Sequence, residues 1–517
     1  MKQHLSQATS DTSRERKLLP WLLLTLVLLA FSLWNLTGRS MWWDEGWTLS
    51  VARHWVELDH YGRLRDGELA RGGLEASFTV TVPVGVSMKL FGVGLWQGRL
   101  FGVFCAVGVI LLLAALTDRL FDRQVAWATV FAALLLTMHP EVHPLLQGRQ
   151  VLAEMPMLLY LLAGYLALWW ALRGQWVSLL PAMLGLGLAW ISKAQTGPFL
   201  IVSLVIPLLA ALLWRQWNVV TVIGLALVGS YAVAQGLVRL VPPLLIDPQL
   251  PTDHVEGLES VVALVSTPLN RWYALSNLGL FALPTLLGVG WGLHRLWYEQ
   301  KQHPRQNAYY LQLALLSFVG SWLGWYSLLS AGLPRYMGVP VVIGSIFVAV
   351  LLQSLTSRFH LAQSMRKLAD LVTLRHPTWA GAAALLALIL TITGLYFSLR
   401  SLIRYYPIVD FSAQRVATLL NAHPPGTRIE TYESELHVLL DQPYTFPPDQ
   451  IHVALLERSI LGANVEIDYD PLTNDPDYLV IGLFARSNEL YQPVIDNGSF
   501  RLIKKDGAYE IFERIRP

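Results

Sequence analysis

Seven polar residues in a largely apolar sequence are of types that could do chemistry together. They are Asp44, Glu45, Arg149, Glu154, Lys193, Arg335 and Tyr336. A carboxylate can take a proton from a hydroxyl group, and adjacent acids such as Asp44 and Glu45 can also hold a metal ion. Arginine binds a phosphate through a planar fork of donors, and lysine binds it as a point charge. A base that faces such cations suits a transfer in which a lipid phosphate leaves, because the cations stabilise its developing charge.

Each of these residues also has a simpler structural interpretation. Asp44 and Glu45 could be the start of an ordinary loop, and Lys193 could extend its ammonium group to the membrane interface. Arg149 could be only the ion-pair partner of Glu154. Glu154 is harder to explain in this way, because it lies about one turn inside an apolar run, where acids are costly and usually functional or paired.

A metal site is a separate hypothesis. The spacing of His139, Glu141 and His143 is compatible with metal ligation, but two prolines interrupt that segment. The sequence therefore requires no cofactor, and a divalent metal, if one binds, would use Asp44, Glu45 or the segment 139–143. The single cysteine, Cys105, excludes an intramolecular disulfide and a cysteine-based zinc site.

The composition indicates that membrane-spanning helices position these residues. Of the 517 residues, 54% are hydrophobic and 14% are charged, whereas soluble proteins carry about 25% charged residues. The net charge of +2 disfavours nucleic acid as a partner. Apolar runs of spanning length recur along the chain and predict about eleven transmembrane helices. They lie near Leu18–Leu36, Arg99–Leu116, Val125–Met138, Val151–Leu172, Val177–Ile191, Thr196–Trp214, Val219–Val238, Ser276–Leu296, Tyr309–Leu329, Gly338–Leu355 and Trp379–Leu399.

The basic residues between these spans predict their direction. Alternate loops carry Arg119 with Arg123, then Arg173, Arg215, the stretch His294–Arg305 and the stretch Arg358–Arg375. Cytoplasmic loops are enriched in Lys and Arg, so the N-terminus is predicted to be cytoplasmic and the protein to be a multi-pass protein of the plasma membrane. The candidate site residues then all lie at the outer ends of the spans.

The sequence divides into three predicted parts. Residues 1–17 form a cytoplasmic N-terminus, and residues 18–400 form a transmembrane domain with a large first outer loop at 38–78. Residues 401–517 are richer in charge and proline and are predicted to form an extracytoplasmic α/β domain, with a helix at Gln414–Asn421. Its predicted strands are Arg428–Thr431, Tyr478–Gly482, Phe500–Ile503 and Glu510–Phe512. The predicted fold is an all-α polytopic membrane bundle with a small C-terminal α/β domain.

Five short stretches resemble those of the C-type (GT-C) glycosyltransferases, and in particular the glycosyltransferase 39 family. That family includes the protein mannosyltransferases and the lipid A aminoarabinose transferase. The stretches are Trp43-Asp44-Glu45-Gly46, Phe91–Leu100, Gly148–Pro156, Gly185–Lys193 and Pro334–Pro340, which begins Pro-Arg-Tyr. Their order and their shared position at the outer face make the set more specific than any one of them.

The resemblance implies a helical bundle with a cavity between its outer loop and the membrane. It implies a polyprenyl-phosphate sugar as donor, a protein, lipid or glycan as acceptor, and inversion at the anomeric carbon. Asp44 would be the general base, and Glu154 would orient the donor or acceptor. Lys193 and Arg335 would hold the lipid phosphate, and Glu45, Arg149 and Tyr336 would contribute to substrate binding. The sequence lacks the family's Pro-Pro-Leu stretch, so the acceptor is not carried over.

Two other functions compete with this enzyme. A transporter or flippase of a lipid-linked intermediate would place charged groups near the bilayer midplane, often in two related halves. The sequence shows no repeat, and its charged groups gather at one face. A structural subunit with an outer recognition domain would tolerate neutral replacements of Asp44 and Glu154.

Overall fold

The structure is a computed structural model that describes residues 2–70, 73–246, 257, 261, 263–302, 306–373 and 378–516. Side chains are described within these ranges except at residues 2–17 and 299–302. Two basic residues that were used to predict the orientation, Arg305 and Arg375, lie outside the described residues.

The chain up to Tyr406 is almost entirely helical, as expected for apolar segments whose backbone groups must be satisfied within the segment in lipid. The helices of this part are α1 Lys2–Leu33, α2 Trp43–Glu57, α3 Phe78–Phe91, α4 Leu95–Leu120, α5 Arg123–Leu135, α6 Pro144–Gln147, α7 Glu154–Leu172, α8 Leu179–Ser192, α9 Thr196–Leu213, α10 Trp217–Leu240, α11 Pro242–Leu245, α12 Pro268–Phe281, α13 Leu283–Gln302, α14 Asn307–Leu329, α15 Gly338–Leu355, α16 Leu361–Val372 and α17 Trp379–Tyr405. Short 3-10 turns occur at Pro140–Val142, Trp176–Ser178 and Pro334–Met337.

Among the described residues, seven helices are long and apolar enough to cross a membrane, in the regions of α4, α7, α9, α10, α14, α15 and α17. Four shorter apolar helices accompany them, at Leu18–Leu33, Phe78–Phe91, Arg123–Leu135 and Trp176–Ser192. The chain is therefore a multi-pass membrane protein, as the sequence predicted. The number eleven and the direction of insertion stay predictions.

One predicted span is not a single straight helix. The region predicted as Ser276–Leu296 consists of α12 and α13, which meet at a bend of 79°. Pro284 is the second residue of α13. It has no backbone N–H to donate to the hydrogen-bond ladder of α12, and it disfavours the helical conformation of the residue before it. The proline therefore explains the break.

The C-terminal part folds around a five-stranded sheet. Its strands are β3 Ile429–Thr431, β4 Tyr444–Thr445, β5 Tyr478–Ile481, β6 Phe500–Asp506 and β7 Tyr509–Arg514, in the order β4-β3-β5-β7-β6. Strand β3 pairs in parallel with β4 and β5, whereas β7 runs antiparallel to β5 and β6. The helices are α18 Ser412–Asn421, α19 Ser434–His437, α20 Asp449–Leu456, α21 Leu483–Ser487 and α22 Gln492–Asp496, with a π-helical turn at Glu457–Leu461 and a 3-10 turn at Pro471–Asn474. The predicted helix and four predicted strands are all present, and β4 was not predicted.

The first loop is docked on this C-terminal domain. It contains α2 and a small antiparallel hairpin, β1 Arg63–Arg65 with β2 Glu68–Ala70. Gly46 of α2 lies so close to α19 that a Cβ atom would approach the Ser434 backbone to 2.3 Å. Arg63 donates to both oxygens of Asp449 at 2.9 and 2.8 Å, and all of these groups are buried. The position of α2 is thus set by the C-terminal domain as well as by the bundle.

Candidate active site

The first turn of α2 presents Asp44 at one end of the bundle. Trp42 precedes the helix in an extended conformation, and Asp44 and Glu45 occupy its first turn. Acidic residues there are stabilised by the positive end of the helix dipole. Glu45 also accepts the backbone N–H of Trp42 at 3.1 Å, as a third helical residue does in a capping box.

Glu45 anchors this turn to the bundle. Its two carboxylate oxygens accept hydrogen bonds from Arg99 of α4, at 2.7 Å from Nε and 2.9 Å from Nη2. Both side chains are buried, and Arg99 also donates to the carbonyl of Leu36 at 2.7 Å. The Glu45 carboxylate is thus occupied within the protein, and it fixes the first turn of α2, which also carries Asp44.

Asp44 forms an ion pair with Arg335 across the site. Arg335 comes from the 3-10 turn before α15, which is 291 residues later in the chain. Burial by itself raises the pKa of the Asp44 carboxyl, but the charge and hydrogen bond of Arg335 outweigh it and hold that pKa below its ordinary value. Asp44 is therefore ionised near neutral pH, as a general base must be.

A second ion pair joins Glu154 to Lys193. Glu154 is the first residue of α7 and Lys193 directly follows α8, and Lys193 Nζ lies 2.5 Å from Glu154 Oε1. The two antiparallel helices can approach closely because Gly185 and Gly164 have no side chains at their contact. A Cβ atom at Gly185 would lie only 2.9 Å from the backbone nitrogen of Gly164. This close packing brings the start of α7 and the end of α8 together.

The ring of Tyr336 lies between the two ion pairs. Lys193 Nζ is 5.4 Å from the centre of that ring, and the guanidinium of Arg335 is 5.3 Å from it. Tyr336 is buried, and its carbonyl accepts the indole N–H of Trp322 at 2.9 Å. The cations predicted from separate motifs thus meet at one aromatic side chain, within cation–π distance.

A cavity of about 610 Å³ opens beside Asp44 and Arg335. The bundle and first loop line it with Arg39, Ser40, Met41, Trp42, Trp43, Asp44, Glu141, Gln150, Ala331, Leu333, Pro334, Arg335 and Tyr336. The C-terminal domain and its connection line it with Asp410, Glu433, Glu435, His452, Leu456, Ile460, Leu483, Phe484, Ser487, Ala508 and Tyr509. This volume suits a ligand of drug or disaccharide size.

Of the seven predicted site residues, three line this cavity: Asp44, Arg335 and Tyr336. Glu154 and Lys193 are not among the lining residues; they pair with each other, and Lys193 lies over the ring of Tyr336. Arg149 points elsewhere, because it donates to the carbonyl of Asn35 and its guanidinium lies 4.4 Å from the centre of the Tyr406 ring.

The three residues of the proposed metal segment are not gathered around one point. His143 is buried and its Nε2 lies 2.9 Å from the carbonyl oxygen of Leu134, whereas Glu141 faces the cavity. Within the described ranges, no three His, Cys, Asp or Glu side chains are grouped as metal ligands. The structure therefore offers a metal ion no preformed set of protein ligands at this segment.

Sequence reasoning missed several lining residues. Arg39 lies in the first loop, and no ion pair to it occurs among the described residues. Glu433, Glu435 and Tyr509 come from the C-terminal domain. These residues belong to no recognisable sequence motif, and only the folded structure brings them to the same cavity as Asp44.

Comparison with known proteins agrees with this architecture. Residues 83–237 match the model of a family described as dolichyl-phosphate-mannose-protein mannosyltransferase. No curated protein matches the sequence.

Solved structures share the fold across nearly the whole chain. ArnT from Cupriavidus metallidurans bound to undecaprenyl phosphate superposes with a TM-score of 0.64 at 15% identity, covering 96% of this chain and 98% of that one. The oligosaccharyltransferase from Archaeoglobus fulgidus in its apo form gives 0.56 at 10% identity, covering 92% and 71%. The fold that the motif resemblance implied is thereby confirmed.

Proposed function

We propose that this chain, which has the GT-C fold, is a membrane glycosyltransferase that moves a sugar from a polyprenyl-phosphate donor to a hydroxyl-bearing acceptor. The observation that carries the proposal is the pair formed by Asp44 and Arg335 at the edge of the 610 Å³ cavity. An ionised carboxylate next to a cation, at the end of a membrane bundle, matches the needs of an acceptor base and a lipid phosphate. The ArnT relative was solved with undecaprenyl phosphate, which supports a donor of this class.

In the proposed reaction Asp44 takes the proton of the acceptor hydroxyl. The hydroxyl oxygen attacks the anomeric carbon, the bond from that carbon to the phosphate oxygen breaks, and the phosphate leaves with the bonding electrons. Attack from the face opposite the phosphate inverts the anomeric centre. Asp44 then holds the proton until it is released to water.

Two arginines lie where they can stabilise the leaving phosphate. Arg335 lines the cavity, and its buried Nε has no hydrogen-bond partner among the described residues. Arg39 lines the same cavity and adds a second guanidinium. Guanidinium groups suit a phosphate because their donors match two of its oxygens at once. Lys193, which was predicted for this role, is bound to Glu154 and acts on the site through its contact with Tyr336.

The test is transfer of radiolabel from polyprenyl-phosphate mannose, glucose, galactose and arabinose in membranes that contain equal amounts of each variant. Asp44→Asn is expected to lower transfer by about 10²-fold or more, the usual contribution of a general base. Asp118→Asn, at an exposed aspartate in the last turn of α4, is the matched control and should transfer normally. Full activity of Asp44→Asn would contradict the base assignment, and no transfer by the wild type from any of these donors would contradict the function.

A further inference from the structure

The C-terminal domain contributes an acidic wall to the cavity. Asp410, Glu433 and Glu435 all line it, and among the described residues none of the three forms an ion pair. Glu433 has an internal role, because its Oε1 accepts the backbone N–H groups of Gly482 at 3.0 Å and Ala485 at 2.9 Å. In Glu435, by contrast, one carboxylate oxygen has no hydrogen-bond partner among the described residues.

Glu435 is a buried acid with one unsatisfied oxygen. Its side chain belongs to α19, is 7% exposed, and accepts the hydroxyl of Tyr509 at 2.7 Å through Oε1. Its Oε2 has no hydrogen-bond partner among the described residues. Buried polar atoms are nearly always hydrogen-bonded, so the unpartnered Oε2 of a residue that lines the cavity leaves one hydrogen-bonding position open to a ligand.

We propose that Glu435 and Tyr509 bind hydroxyl groups of a pyranose ring inside the cavity. This inference rests on the proposed function, because it assigns a second contact of the same saccharide-binding cavity. A sugar hydroxyl both donates and accepts, so it can bond to a carboxyl oxygen and to a phenol at once. Trp42 and Phe484 line the same cavity, and Trp42 is 39% exposed, which offers an apolar face to the C–H side of such a ring.

The protonation of Glu435 favours a neutral partner. Burial, reinforced by the charge of Glu433, raises the pKa of Glu435 to about 8. The other groups that act on it are the Tyr509 hydroxyl and the more distant Glu45, while Asp44, Asp410, Glu141, His452, Arg39 and Arg335 line the same cavity. Near pH 7 most of the Glu435 carboxyl is protonated and can donate a hydrogen bond to a sugar oxygen.

The experiment uses the full-length protein in detergent micelles and follows tryptophan fluorescence, since Trp42 and Trp43 line the cavity. The probes are the methyl glycosides of mannose, glucose, galactose and N-acetylglucosamine. Glu435→Ala is expected to weaken binding roughly ten-fold, the loss of about one hydrogen bond to a buried group. Glu435→Gln retains a donor and an acceptor, so it should bind within about two-fold of the wild type at pH 7. The wild type should bind more weakly above about pH 8, and Glu435→Gln should not show that change.

Two tyrosines provide a matched comparison. The hydroxyl of Tyr509 donates to Glu435, which faces the cavity, and the hydroxyl of Tyr491 donates to the buried Glu430 at 2.9 Å, away from the cavity. Tyr509→Phe should weaken glycoside binding, whereas Tyr491→Phe should leave it unchanged at equal thermal stability. Equal effects of the two changes would overturn the proposal, because they would reflect domain stability alone.

Two lipids distinguish whether the sugar ring that Glu435 contacts belongs to the donor or to the acceptor. If Glu435 contacts the transferred sugar, Glu435→Ala weakens binding of polyprenyl-phosphate mannose but not of polyprenyl phosphate. If it contacts the acceptor, the same change weakens glycoside binding in the presence of polyprenyl phosphate. If Glu435→Ala changes the binding of none of the probes and the protein still transfers label, this inference is overturned and the proposed function stands. Glu435-dependent glycoside binding without transfer from any donor supports the site and overturns the proposed transferase.

Discussion

At the scale of single residues, one neighbour sets the protonation of Asp44. Its folded pKa lies below its ordinary value of 3.8 because Arg335 outweighs the effect of burial. The proposed base is therefore ionised in the wild type at all pH values above that range, and the acidic limb of kcat/KM should lie below about pH 4. In Arg335→Gln burial acts without the cation, so we expect the limb to move to higher pH, in addition to a loss of rate.

The measurement is a pH profile of kcat/KM for sugar transfer, obtained at donor concentrations that range from well below to well above KM. Arg415→Gln is the control, because Arg415 pairs with Asp506 on the exposed surface of the C-terminal domain. Its profile should coincide with that of the wild type. An unmoved limb in Arg335→Gln would mean that another group titrates as the base.

Residue types and motif order were enough to predict part of the site. Asp44, Arg335 and Tyr336 stood in recognisable short motifs, and each lines the cavity. Glu45 stood in the same motif, yet its buried pairing with Arg99 depends on how α2 meets α4, which no local pattern encodes. Glu435 could not be predicted at all, since nothing in its sequence neighbourhood indicates that it lines the same cavity as Asp44.

At the scale of elements, the site depends on the contact between α2 and α19. The hydroxyl of Ser434 donates to the carbonyl of Trp43, and the indole of Trp43 donates to the carbonyl of Tyr432 at 2.8 Å. A methyl group on Gly46 would meet the Ser434 backbone at 2.3 Å, and backbone cannot move aside as a flexible side chain can. Gly46→Ala is therefore expected to push α2 away from α19 and to lower transfer about ten-fold or more, since catalysis is sensitive to ångström-scale misplacement of the base.

Gly224 provides the matched control for this change. It lies in α10, and a Cβ added there meets nothing within 4 Å. Gly224→Ala should keep full transfer and gain about 0.5–1 kcal/mol of stability from higher helix propensity. If Gly46→Ala transfers sugar as well as Gly224→Ala does, the contact between α2 and α19 does not hold the site together. Transfer per folded molecule, with folding followed by size-exclusion chromatography, is the appropriate readout.

The elements themselves were predictable to different degrees. Long apolar runs such as that of α4 appear as helices, because a spanning segment has few other ways to satisfy its backbone. The break between α12 and α13 was missed, since hydropathy averages over a single proline. Helix α3 was missed as well, because it lies between the predicted first outer loop and the second predicted span and contains Pro83. In the C-terminal domain β4 is only two residues long, too short for an alternating pattern to indicate a strand.

At the scale of the whole molecule, the proposed reaction needs the cavity on the outer side of the membrane. Helix α15 starts beside Arg335, and α17 ends at Tyr405, whose ring lies 4.8 Å from the guanidinium of Arg39 at the cavity. The connecting helix α16 must then lie at the opposite end of the bundle. The alternate basic loops predict that this end faces the cytoplasm.

Cysteine labelling in intact cells tests this orientation. The only native cysteine, Cys105, is fully buried, so Cys105→Ala gives a background without reactive thiols at a modest cost in packing. In that background Lys504→Cys, on the exposed strand β6, should react with a membrane-impermeant maleimide before lysis. Arg366→Cys, exposed on α16, should react only after the membrane is opened. The reverse pattern would place the cavity on the cytoplasmic side, where an acceptor and donor of the outer face could not reach Asp44, and would contradict the proposed transfer at that face.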